Sequence, residues 1–287
     1  MMAKDTFLNR KVTLNSKGKL IDLSHPSVMA ILNLTPDSFY AKSRLTTVDE
    51  AVKATENFIN AGARFIDIGA YSSRPGAIHI SEYEEIDRLM PSIQAISREF
   101  PDVLISIDTF RAKVAEETIH AGAHIINDIA AGSLDNQMFE TVAKLKVPYI
   151  MMHMKGTPQN MQDNPSYDHV TTEVLDYFAQ KIKHLQLLGV NDIIIDPGFG
   201  FAKNIDHNYQ LLREMEIFHF LERPILVGFS RKSMITKVLD IKTDEALNGT
   251  TVLNTIALMK GAHILRVHDV KEAVQCAELF NRLNDHN

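Results

Sequence analysis

The sequence predicts an α/β fold, a (β/α)8 TIM barrel with an N-terminal β-hairpin, on three observations. Short β-branched runs recur along the whole chain, helix-period segments separate them, and polar residues fall at the C-terminal ends of the runs. The runs at 28–33, 64–68, 103–108, 124–127, 149–153, 193–196, 225–228 and 264–266 are almost continuously apolar up to those ends, as a strand buried on both faces of a parallel sheet requires. Helical patterns occupy 49–61, 81–99, 111–120, 167–188, 208–215, 234–239, 244–259 and 270–283. In the first, Val52, Ala54, Phe58 and Ile59 share a face, and Gly62 follows where a helix ends in a left-handed turn. The same Ala-Gly-Ala ending recurs at residues 121–123.

Alternations of this kind either close as a barrel or lie open as a doubly wound sheet. Asn33, Asp67, Asp108, Asn127, His153, Asp196 and Arg266 all come late in their runs. An open sheet needs polar strand ends only at its switch point, whereas a barrel gathers every C-terminal end around one mouth, which favours the barrel. Before the first run, residues 12–15 and 19–22 alternate about Ser16-Lys17-Gly18, a β-hairpin expected to plug the barrel's bottom. No linker or low-complexity tract interrupts the chain, so residues 1–287 read as a single domain.

Composition narrows the function. With 30 basic and 36 acidic residues in 287, the net charge is −6, and no basic tract offers the clustered cations that nucleic-acid binding requires. The expectation is no nucleic-acid partner and no membrane partner, because the apolar runs fall far short of the ~20 residues that span a bilayer. The first residues lack the apolar core of a secretory signal, and one cysteine, Cys276, cannot form an intramolecular disulfide. Both point to a cytoplasmic protein.

The strand ends carry the chemistry. Asn33 opens Asn33-Leu34-Thr35-Pro36-Asp37-Ser38-Phe39, where a neutral oxygen suits Mg²⁺ that takes its other ligands from phosphates and water, although the same residues also make a turn. Ser72-Ser73-Arg74-Pro75-Gly76 offers hydroxyls and a guanidinium to an anion, or an ordinary exposed loop. Asp108, Asn127 and Asp196 each end a strongly apolar run, where a carboxylate is costly unless it meets a partner. Two carboxylates and an amide around one cavity match a flat heterocycle edged with N–H donors; helix capping is the competing explanation. Gly228-Phe229-Ser230-Arg231-Lys232-Ser233 leads into a helix, placing backbone N–H groups and two cations where barrels often bind anions. Arg266 and His268 point to one side of the last strand, and in a closed barrel they lie beside Asn33 as a second anion site. Met152, at the fifth strand's mouth, is placed to pack on a flat ring.

Read together, Ile31-Leu32-Asn33-Leu34-Thr35-Pro36-Asp37-Ser38-Phe39, Ser73-Arg74-Pro75-Gly76, Ile107-Asp108-Thr109, Ile126-Asn127-Asp128-Ile129, Met152-His153-Met154, Asp196-Pro197-Gly198-Phe199-Gly200-Phe201, Ser230-Arg231-Lys232-Ser233 and Arg266-Val267-His268-Asp269-Val270 resemble the dihydropteroate synthase family. The resemblance runs from about residue 28 to 280, and it is the order of these blocks at successive strand ends that is specific. It implies a homodimeric, Mg²⁺-assisted transferase of folate synthesis, a sulfonamide target. Its small-molecule substrates would be 6-hydroxymethyl-7,8-dihydropterin diphosphate and 4-aminobenzoate, and its products 7,8-dihydropteroate and diphosphate. It further implies a pterin pocket of Asp108, Asn127, Met152, Asp196, Gly228 and Lys232. Diphosphate contacts would come from Asn33, Arg74, Arg266 and His268, with Asn33 on the metal. An aminobenzoate subsite would take in Ser73, Arg74, Pro75, Phe201, Lys232 and Ser233. Asp108, Lys232 and Arg266 are the implied catalytic residues. The chain departs from the family in residues 40–44, where Asp-Gly-Gly is common, at Tyr71, where Glu is common, and at Ser73, where Thr is frequent. A pterin-dependent methyltransferase barrel and a non-catalytic pterin binder are the competing readings; the first needs no diphosphate site and the second no leaving-group cations.

Overall fold

The computed structural model describes residues 12–34, 47–72, 79–161 and 165–284. Among them, the hairpin strands β1 (Thr13–Ser16) and β2 (Lys19–Asp22) pair antiparallel about Gly18, whose φ of 83° suits the turn between them. The barrel strands are β3 (Ser27–Asn33), β4 (Phe65–Gly69), β5 (Leu104–Asp108), β6 (Ile125–Asp128), β7 (Tyr149–Met152), β8 (Ile193–Asp196), β9 (Leu226–Val227) and β10 (Ile264–Val267). They pair in parallel in the order β8-β7-β6-β5-β4-β3-β10-β9. A single bridge, Ile195 to Ile225, closes the ring between β8 and β9, supported by Ile195 N–H donating to the Pro224 carbonyl at 2.9 Å.

The helices between strands are α1 (Val48–Asn60), α2 (Glu82–Glu99), α3 (Ala112–His120), α4 (Met138–Leu145), α5 (Val170–Leu187), α6 (Ile205–Arg213), α7 (Ser233–Leu239), α8 (Leu247–Met259) and α9 (Val270–Asn284). Thr47 and Glu50 form a reciprocal capping box that starts α1, and Gly62 and Gly122 take positive φ after α1 and α3, as the Ala-Gly-Ala repeats predict. The sequence pattern does not resolve α4, which is only eight residues long. It also runs α5 three residues too early and starts α6 three residues too late.

Two apolar layers divide the barrel. Outward-facing strand residues such as Ile66, Ile68, Ile105, Ile126 and Ile195 pack against the helices. Inside, Met29, Phe65, Leu104, Ile125, Ile150, Ile194, Leu226 and Ile264 contribute one side chain per strand to a bottom layer, and Leu14, Ile21 and Leu23 of the hairpin region pack beneath it. The expected plug is therefore present. With its floor sealed by hydrocarbon, the barrel's interior is open only toward the C-terminal strand ends.

Candidate active site

On five of the eight strands the side chain two residues further along the inward face is polar, whereas β3, β7 and the end of β9 offer Ile31, Met152 and Gly228. Above Phe65 comes Asp67, above Leu104 come Ser106 and then Asp108, above Ile125 comes Asn127, above Ile194 comes Asp196, and above Ile264 comes Arg266. Register brings them together: Asp67 is paired with Ser106, Asp108 with Asn127, and Met152 with Asp196 across adjacent strands. Gly69, paired with Asp108, leaves room for it, since a Cβ at Gly69 would stand 3.3 Å from the Asp108 Cβ.

Arg266 is the hub of this ring. Its Nε donates to Asp67 Oδ2 at 2.6 Å and an Nη donates to Asp108 Oδ2 at 2.7 Å, so it reaches across β3 from β10 to β4 and β5. The strand-end carboxylate that was expected to find its partner in a ligand has found one in the protein. Burial raises the Asp108 carboxyl, Arg266 opposes the rise and Asp67 adds to it. The guanidinium itself is held firmly in its charged form by the two carboxylates, against the desolvation that would weaken it. Asp67 is fully buried and also accepts from Ser106 Oγ at 2.6 Å and Asn127 Nδ2 at 2.9 Å. The sequence places Asp67 among the strand-end residues of the mouth but gives it no partner; its seat beneath the pocket, at the inward period-two position of β4, comes from the fold.

At the end of β8, Asp196 accepts from the Gly198 N–H at 2.8 Å. Burial raises its carboxyl, with Lys232 the leading opposing charge. Lys232 donates to the Phe199 carbonyl at 2.5 Å and lies 4.6 Å from the Phe201 ring centre. Burial, partly offset by Asp196, lowers its ammonium to about 8. The loop after β8 is tied down from behind. Lys203 is buried and donates to His153 Nδ1 and the Gly198 and Phe201 carbonyls at 3.0, 3.0 and 3.1 Å. Burial first, then the nearby Lys203 charge, keeps His153 neutral, well below the usual histidine range. Only glycine fits at 198, where φ is 72° and a Cβ would stand 2.1 Å from the His153 carbonyl oxygen.

These walls border a cavity of about 860 Å³, within the range of small-molecule sites. Asn33, Asp108, Gly228, Lys232, Arg266 and His268 line one part of it, and Phe201 and Ser233 another. Asn127, Met152 and Asp196 are buried behind that lining. Met152 shares an apolar cluster with Met154, Met161, Phe110 and Phe201, a greasy flank for a flat ring. His268 meets Ser230 Oγ at 2.9 Å and is pushed down to about 4 by burial and then by Arg266, so it serves as a neutral hydrogen-bonding group and not as a cation. Of the two cations expected before Ser233, Arg231 is committed elsewhere: it forms paired bonds to Asp269 and donates to the Thr243 and Asp244 carbonyls. Both border the cavity, and of the two it is Lys232 that stands close to Asp196. Ser73, Arg74, Pro75 and residues 40–44 lie outside the described residues.

Comparison with known proteins decides among the three readings. The pterin binding enzyme family matches residues 29–268. A dihydropteroate synthase of Escherichia coli strain K12 is 46% identical over 262 residues, covering 91% of this chain and 92% of that protein. This chain belongs to the dihydropteroate synthase family. Solved structures agree. A Yersinia pestis dihydropteroate synthase in complex with a sulfonamide drug superposes with a TM-score of 0.92 at 42% identity, covering 96% of this chain and all of that one. A Xanthomonas albilineans dihydropteroate synthase with 4-aminobenzoic acid gives 0.88 at 33% identity, covering 97% and 100%. The fold of the synthase and its pterin-binding character are thus those expected from the strand-end motifs, and no helix among the described residues is long and apolar enough to cross a membrane.

Proposed function

We propose that this synthase joins 6-hydroxymethyl-7,8-dihydropterin diphosphate to 4-aminobenzoate at the barrel mouth, releasing 7,8-dihydropteroate and diphosphate. The observation that carries this reading is the grouping of Asp108, Asn127 and Asp196 on one half of the ring, with Lys232 opposite Asp196 and Met152 beside it. A pterin's pyrimidine edge carries several N–H donors, with one ring-nitrogen acceptor among them and a carbonyl at the end. Carboxylates and an amide oxygen meet the donors, the ammonium meets the carbonyl, and Met152 with its apolar cluster supports the ring face. Phe201 and Ser233 extend the same cavity as the aminobenzoate subsite, with Lys232 between them and the pterin.

The chemistry asks for charge management more than for a nucleophile. The bond between the pterin methylene and the diphosphate oxygen breaks, and its electron pair departs on diphosphate. The amine lone pair then forms the new C–N bond, and the nitrogen sheds one proton. Arg266 and His268 border the leaving oxygen's side with Asn33, and Asp108 lies next to the cationic carbon. Mg²⁺ bound with the substrate would neutralise the diphosphate charge. The donor set suits that ion: Asn33 offers a single neutral oxygen, and no group of three acidic, His or Cys side chains among the described residues forms a protein-only cage. Asn33 would therefore share the ion with phosphate and water.

Apolar side chains left exposed on the adjacent helices α8 and α9, among them Val252, Met259, Leu279 and Leu283, support a homodimer through that face. The lone, unpaired Cys276 supports a reducing, cytoplasmic setting. Incubation with dihydropterin diphosphate, 4-aminobenzoate and Mg²⁺ should release diphosphate and form dihydropteroate together. Sulfonamides should raise the apparent KM for aminobenzoate alone. Absence of product, or methyl transfer from methyltetrahydrofolate, would overturn the reading.

A further inference from the structure

Asp67 belongs to none of the substrate-contacting groups assigned above, yet it is the most heavily engaged carboxylate of the ring. It is fully buried, and every described hydrogen bond it makes is accepted: from Ser106 Oγ on Oδ1, and from Asn127 Nδ2 and Arg266 Nε on Oδ2. A carboxylate offers no proton in return, so the Asn127 amide has one permitted orientation, with its NH₂ group down on Asp67. The amide oxygen then lies on the side away from Asp67, and it accepts no hydrogen bond from any described residue. Turned the other way, Asn127 would set oxygen against oxygen beneath and present no acceptor to the N–H groups of a ligand edge. The same Oδ2 atom fixes the Arg266 side chain at Nε, which leaves the outer nitrogens to reach Asp108.

We propose that Asp67 is a positioning residue of the pterin pocket: from beneath, its carboxylate locks the Asn127 amide with its oxygen toward the ligand and aims Arg266 at Asp108, and so sets the donor–acceptor pattern that selects a pterin. The inference rests on the reading of this pocket as the pterin site. What Asp67 supplies is an acceptor at a fixed point, and its charge is secondary. An asparagine at 67 keeps an amide oxygen at the Oδ2 position and turns its NH₂ toward the Ser106 hydroxyl, which can accept. A leucine keeps the volume and removes the acceptor.

The test is titration of 6-hydroxymethylpterin into the parent and the variants Asp67→Leu, Asp67→Asn and Asp196→Ala, with thermal midpoints and both KM values measured in parallel. Asp67→Leu should weaken pterin binding at least tenfold and raise the KM for the pterin diphosphate while leaving the KM for aminobenzoate within twofold. Asp67→Asn should bind within threefold of the parent. If Asp67→Leu does not fold, Asp67→Ser, too short to reach either donor, takes its place. A purely structural role predicts instead that affinity follows the thermal midpoint and that both KM values rise together, which would overturn the proposal. So would parent-like affinity in Asp67→Leu alongside its loss in Asp196→Ala, a result that spares the pterin-site reading. If the parent does not bind the pterin, that reading and the proposal fall together.

Discussion

Replacing Arg266 with methionine isolates the energetic consequence of the ring. The side chain keeps an aliphatic stem but ends short of the guanidinium, and it leaves Asp67, fully buried, and Asp108, 26% exposed, facing each other without the group that both contact within 2.7 Å. Removing one member of a buried ion pair costs about 3–5 kcal/mol. The protein can escape by protonating Asp108, the more accessible carboxylate. In the parent that carboxyl is already raised to about 7, so at about pH 6 parent and variant both hold the proton, and the deficit there is the part owed to the buried Asp67. Above that the parent gives up the proton with Arg266 in place, whereas the variant has to keep it, at roughly 1.4 kcal/mol per pH unit. Arg266→Met should therefore be destabilised by about 3 kcal/mol at about pH 6 and by up to about 2 kcal/mol more at about pH 8.5. The sign follows from linkage. In the variant the folded-state carboxyl rises above its parent value, the variant's folded state holds the extra proton, and the deficit grows as pH climbs from the parent's folded value toward the variant's. Urea unfolding followed by circular dichroism at the two pH values measures it. An equal deficit at both, or none, would refute the claim that Arg266 compensates two carboxylates at once.

Three further outcomes follow from the same geometry. Asp196→Ala should lower affinity for dihydropterin diphosphate by more than a hundredfold while leaving the thermal midpoint close to the parent's, as read by calorimetric titration and scanning. Gly198→Ala forces a Cβ onto the His153 carbonyl in a left-handed backbone, and it should cost at least about 1–3 kcal/mol and displace Asp196, seen as lower thermal stability together with a raised pterin KM. Leu279→Glu combined with Val252→Glu should leave a monomer in sedimentation equilibrium; an unchanged dimer would move the interface to another face.

The architecture was legible because its signals are local. Continuous apolar runs, Ala-Gly-Ala endings and the alternating hairpin each sit within a few residues, and their register follows from period two. The short α4 was hidden because eight residues show barely two turns of periodicity, and two-residue β9 is held largely by its neighbours. Residue types at the mouth were legible as well, but not their partners. Asp108 and Asp67 look alike as carboxylates late in apolar runs, and only the closed ring shows that one guanidinium, 158 and 199 residues away, meets both. Arg231 and Lys232 are equally neighbours of Ser233 in the chain and both border the cavity, yet Asp269 ties up the guanidinium of the first. Long-range ion pairs of this sort leave no trace in spacing.

The ring of strands is least secure where β8 meets β9, with one bridge in place of a ladder. Asp196 hangs from one side of that gap and the segment bearing Gly228 and Lys232 from the other, so the two jaws of the pterin slot straddle the weakest joint in the sheet. Across it, the Lys232 ammonium grips the Phe199 carbonyl like a latch. A ligand that draws Lys232 toward its own carbonyl competes with that latch, so occupancy of the slot and the tightness of the staves around it are mechanically linked.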